Sequence, residues 1–92
     1  MSPTFLALLS AYYLCDAAAA LRPLPPETAQ HCAAQYEAVK SSFVPGADSG
    51  PAERRLGYLR FKSWEADNPD VVGELRRAAA DEARALLIGK PV

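Results

Sequence analysis

The stretch from Phe5 to Leu21, FLALLSAYYLCDAAAAL, would be apolar on nearly every side of a helix, broken by Ser10 and Asp16. A helix without a polar stripe must be surrounded, either by a protein core or by lipid. Ser2-Pro3 ahead of it is a helix start, a cap followed by a proline suited to the first position. Arg22-Pro23-Leu24-Pro25-Pro26 then stops the helix, because its prolines remove donors and fix φ. Beyond this stiff connector, Glu27 and Thr28 open a second segment. In it Ala29, Cys32, Ala33, Tyr36, Val39 and Phe43 recur at the spacing of one helical face. Gln30, His31, Gln35, Glu37 and Ser41 fill the other side. This second helix should lie antiparallel on the first.

Pro45 to Gly50 reads as a loop, and Pro51 starts a third helix that runs to about Asp67. Its apolar residues form two lines. Ala52, Leu56, Leu59 and Ala66 fall within about 40° of one another's mean direction, while Phe61 lies about 180° away and Trp64 about 120°. The first line is the expected core face, with the fourth helix covering Trp64 and Phe61 left partly exposed. Asn68-Pro69-Asp70 reads as a cap, a first-turn proline and an acid favoured by the helix dipole. Val72, Leu75, Ala79, Ala83 and Leu86 make the inner face of that fourth helix, and Gly89 and Pro91 end it.

Composition agrees with helices. Alanine supplies 18 of the 92 residues, whereas Val, Ile and Thr together supply eight. Half the residues are apolar and 23% are charged, which is globular. The expectation is therefore all-α: residues 1–92 as a single domain, a small compact antiparallel four-helix bundle with its first helix central and buried.

That first helix has two rival readings. A membrane span needs about 20 apolar residues, and Asp16 interrupts this one. An export signal needs a positive leading region, and residues 1–4 hold no Lys or Arg, although Ala18-Ala19-Ala20 would serve for cleavage. A core helix is preferred, and with it a soluble, cytoplasmic protein. The rival is an exported or membrane-associated protein anchored by this helix.

Candidate chemistry is sparse. There is one histidine, and no phosphate loop, metal motif or nucleophile elbow. His31 sits on the polar face, and its neighbour Cys32 points about 100° away, so no Cys–His nucleophile forms. Asp16 is read as a rim carboxylate near Arg22. The expectation is no enzyme, no cofactor and no metal. Cys15 and Cys32 each lie about 9 Å along their helices from the connector, level with each other in a hairpin. They are a pair for a disulfide in an oxidising compartment, or two small buried thiols in cytosol.

Net charge is −1, which gives no global attraction for nucleic acid. The strongest interaction signal is the segment holding Arg54, Arg55, Tyr58, Arg60, Phe61, Lys62 and Trp64, where cations interleave with aromatics. Such residues are enriched at protein-interaction hot spots. They also suit stacking on bases, but Glu65, Asp67, Asp70 and Glu74 follow at once and would repel phosphate. The functional expectation is a non-enzymatic adaptor or inhibitor, of the kind small bacterial chains and phages carry, acting on a protein partner or by self-association. A nucleic-acid-binding accessory protein is the further alternative.

Overall fold

Each of the four helices opens on a proline: α1 spans Pro3–Leu21, α2 Pro26–Ser41, α3 Pro51–Asp67 and α4 Pro69–Ile88. The computed structural model describes residues 2–44, 46 and 50–88. Proline suits the first position because that amide has no acceptor within the helix and the ring pre-sets φ. Ser2 completes the start of α1, its Oγ accepting the Phe5 N–H at 3.1 Å. Asn68 alone separates α3 from α4. The sequence casts it as a cap for α4, yet its Nδ2 donates to the Trp64 carbonyl at 2.8 Å and so finishes α3. Gly46, with φ of 76°, takes the left-handed conformation that glycine favours. The other loop residues expected at 45 and 47–49, and the stop at Gly89 and Pro91, lie outside the described residues.

The chain is an all-α four-helix bundle, with no strand among the described residues. α1 is its centre, packed along both α2 and α4, while α3 lies mainly on α2. α1 and α2 are antiparallel: Cys15 meets Cys32, Tyr12 stacks on Tyr36 at 5.1 Å, and Phe5 reaches Phe43. α4 departs from the antiparallel expectation. Asp16 bonds Arg76, and Ala18 shares a groove with Ala83 and Leu86 farther on, so α1 and α4 run in the same sense. The connector explains this, since an antiparallel helix hairpin needs about 2–5 loop residues. With Asn68 alone between them, α4 cannot double back on α3 and lies beside α1 instead.

The shortest dimension is 20 Å, two helix layers. In two layers even a central helix keeps an edge in water. α1 accordingly buries Leu9 and Tyr13 fully, while Ala7, Asp16, Ala19, Ala20 and Leu21 are exposed. The remaining core is Val39 of α2, Phe61 of α3, and Ala79 and Ala83 of α4. On α2 and α4 these are the faces that periodicity predicts.

α3 is the exception, rotated half a turn from expectation. Ala52, Leu56, Leu59 and Ala66 face water, and Phe61 is wholly buried. Two physical terms favour this phase. Phe61 and Trp64 meet rings already in place on α1 and just past the end of α2, and such ring pairs contribute about 0.5–1.5 kcal/mol beyond the area they bury. The second term is Gly57, which shares the Phe61 face and is buried. A Cβ there would stand 2.5 Å from the Lys40 carbonyl oxygen. The α2 backbone approaches this closely because residue 57 has no side chain.

Gly57 and Gly73 therefore make a matched test. Nothing lies within 4 Å of a Cβ at Gly73, exposed in the second turn of α4. Gly73→Ala should stabilise by about 0.5–1 kcal/mol through helix propensity. Gly57→Ala should instead destabilise by about 1–3 kcal/mol, because overpacking against backbone outweighs the same propensity gain. Urea unfolding followed by circular dichroism reads both signs.

Candidate protein-interaction face

The inward side of α3 is anchored by a ring cluster and by one carboxylate. Trp64 is half-buried, edge-on to Phe5 at 5.3 Å, and Phe61 meets Tyr12 edge-on at 5.8 Å. Glu65, one turn beyond Phe61, reaches back to α1 and across to α4. It accepts a hydrogen bond from the Tyr13 hydroxyl at 2.6 Å, from Lys62 Nζ at 3.0 Å and from Arg76 at 3.4 Å. Arg76 continues to Asp16 at 3.1 Å, and its guanidinium lies over the Tyr13 ring at 4.3 Å. Asp16 is thus the exposed rim carboxylate that was expected, but its partner is Arg76 rather than Arg22.

Charge states follow from these contacts. Burial alone would raise the Glu65 carboxyl. The bonds from Tyr13 and Lys62, with the Lys62 and Arg76 charges, outweigh burial and hold it below the usual range. Burial pushes the Tyr13 phenol up, and the hydrogen bond it donates to Glu65 adds to that. The Lys62 ammonium is raised by its bond to Glu65. The cluster is a fixed set of charges in which donors and acceptors are matched across α1, α3 and α4.

The outward side of α3 is a different surface. Leu59 is 50% exposed, Tyr58 41% and Leu56 39%, with Ala52, Ser63 and Ala66 continuing the strip. Arg55, Arg60 and Lys62 are exposed along it, whereas Arg54, also exposed, lies about 20° from the Phe61 direction. Arg60 donates to the Phe43 carbonyl at 2.9 Å, which fixes its stem against the end of α2. Lys62, Lys40, Arg76 and Arg84 each reach a carboxylate; Arg54, Arg55 and Arg60 do not among the described residues.

Of the seven residues singled out from sequence, four therefore line the outer face: Arg55, Tyr58, Arg60 and Lys62. Phe61 and Trp64 do not join them. The idea that Phe61 points outward is corrected by its complete burial. What sequence reasoning missed were Leu56 and Leu59, assigned to the core. The signal that would have found them is Gly57, one residue from Leu56 and four from Phe61, marking the face that meets another backbone.

Cys15 and Cys32 are joined in a disulfide, with Cα atoms 5.6 Å apart. His31 is exposed and meets Gln35 at 2.9 Å, one turn on along α2. Among the described residues no three His, Cys, Asp or Glu side chains converge as a metal site would require. Compared with protein-family models, with curated proteins and with solved structures, the chain matches none.

Two outcomes follow from this geometry. The folded protein binds a proton at Glu65 less readily than the unfolded chain does. Its stabilisation is complete above the ordinary carboxyl value of about 4.3 and is lost as pH falls through the lower folded value. Thermal unfolding of the native protein should therefore drop steeply below about pH 4.3, and Glu65→Gln should flatten that drop while lowering stability at pH 7. Reducing the disulfide closes a second prediction. Freeing the 18-residue segment should cost about 3 kcal/mol, read as a lower urea midpoint with dithiothreitol or in Cys15→Ser/Cys32→Ser.

Proposed function

We propose that this protein works without catalysis, by presenting the outer face of α3 to a protein partner. The observation that supports the reading most directly is an exposed apolar strip edged by Arg55, which meets no carboxylate among the described residues, and by Arg60 and Lys62. Leu56, Tyr58 and Leu59 supply apolar contact area, and Arg55 supplies charge without an internal use for it among those residues. Protein interfaces favour this combination, with Tyr and Arg enriched and few acids at the centre. The nucleic-acid reading is weaker for a geometric reason. Its stacking platform needed Phe61 and Trp64, and the packing of those rings leaves Tyr58 alone to stack.

A second reading concerns place rather than action, and two observations favour it. The disulfide belongs to an oxidising compartment. α1 has a mean hydropathy of 1.5 and is long and apolar enough to cross a membrane. Export with α1 retained is the version most compatible with the fold. Cleavage after Ala20 would remove Leu9 and Tyr13 from the core and Cys15 from its disulfide.

The test contrasts the two sides of α3. Leu59→Ser and Arg55→Glu should leave the helical spectrum and urea midpoint within about 0.5 kcal/mol of the native protein. Both should abolish recovery of a partner that the tagged native protein enriches from the source cell. Phe61→Ala should instead destabilise by about 3–5 kcal/mol. Unchanged partner recovery by both outer-face variants would overturn the reading.

A further inference from the structure

The exposed strip of α3 has the spacing of a coiled-coil seam. Ala52, Leu56, Leu59, Ser63 and Ala66 are separated by four, three, four and three residues, two heptads that cover about 21 Å. Arg55 and Lys62 form one edge of this seam, each a residue before an inward position. Glu53, Arg60 and Asp67 form the other edge, and Glu53 is half-buried.

Edge charges choose between partners, because they set orientation and identity in helix pairs. A second copy lying antiparallel would bring like edges together, so Arg55 and Lys62 would face the same two residues of the copy. A second copy lying parallel would set Arg55 against Arg60 of the copy and Lys62 against Asp67, one repulsion against one attraction. Neither orientation gains from charge. A helix with carboxylates on the edge that meets Arg55 and Lys62 gains along that whole side in either orientation, whereas on the opposite edge Glu53 and Asp67 flank Arg60 and repel acid.

Resting on the interaction reading above, we infer that the partner is an amphipathic helix of another protein, apolar on one stripe and acidic along the edge that faces Arg55 and Lys62, which lies along Ala52 to Ala66. Leu56 and Leu59 are its apolar contacts, and Arg55 and Lys62 read its charge. A seam this short, with a serine and two alanines in it, makes a reversible, salt-sensitive complex rather than a permanent one.

The experiment uses the full oxidised chain and two labelled probe peptides of four heptads, both with leucine at the seam positions. One carries glutamate along one edge and the other lysine there, both with glutamine along the opposite edge. Fluorescence anisotropy should show the glutamate peptide binding at least tenfold tighter than the lysine peptide at low salt, with the gap narrowing at 0.5 M salt. Leu59→Ser should weaken the glutamate peptide at least tenfold. Arg55→Glu/Lys62→Glu should reverse the preference between peptides, an effect that misfolding cannot mimic. Equal binding of both peptides, or binding of neither, overturns the acidic-helix proposal. Sedimentation of the chain alone then locates the failure. A dimer lost in Leu59→Ser keeps the α3 face as an interface with a second copy as its occupant. A monomer with no affinity for either peptide removes the face as well.

Discussion

Where α3 crosses α2, the Lys40 carbonyl occupies space that a Cβ of residue 57 would need, so the crossing exists because that residue is glycine. The consequence spreads in both directions from this contact. Inward, the close approach brings Phe61 level with Tyr12 and Phe43 and lets it bury completely. Outward, it turns Leu56 and Leu59 into water. A helix interior is a poor place for glycine, at about 1 kcal/mol relative to alanine. Here that local cost is offset by the surface that Phe61 removes from solvent.

Glu65 performs the polar half of the same job. α3 and α4 touch little, because one residue joins them and they splay apart. Their relation is held instead by a carboxylate that takes bonds from Tyr13 of α1, from Lys62 of its own helix and from Arg76 of α4. With its side chain 11% exposed, such a group is tolerable because it is multiply bonded and paired. The same network explains why residue 13 is tyrosine. A phenylalanine would fill the core equally and leave Glu65 without its shortest bond.

Cys15 and Cys32 tie α1 to α2 near the connector, at the end of the hairpin remote from Gly57. The other end is joined by rings, with Phe5 of α1 edge-on to Phe43 and to Trp64 of α3. The two helices that pack the inward side of α3 are thus tied to each other at both ends, by a covalent bond at one and by aromatic contact at the other.

Much of this architecture was legible from residues alone. Pro3, Pro51 and Pro69 mark helix starts through a fixed φ and a missing amide, and the proline-rich connector after Arg22 ends the first helix. Helical periodicity placed Val39, Ala79 and Ala83 in the core, and equal distances from the connector set Cys15 level with Cys32. These are local properties, decided within one turn or one hairpin. The phase of α3 is not local. Both of its sides carry apolar residues, and either could be buried at similar intrinsic cost. The choice rests on what neighbouring helices can pack, namely rings from α1 and α2 around Phe61 and bare backbone against Gly57. For the same reason Glu65 and Arg76 look like ordinary surface charges in sequence. The direction of α4 follows from a connector of one residue, whereas the exposed face of α3 was settled by packing between helices, which a reading of each helix by itself does not contain.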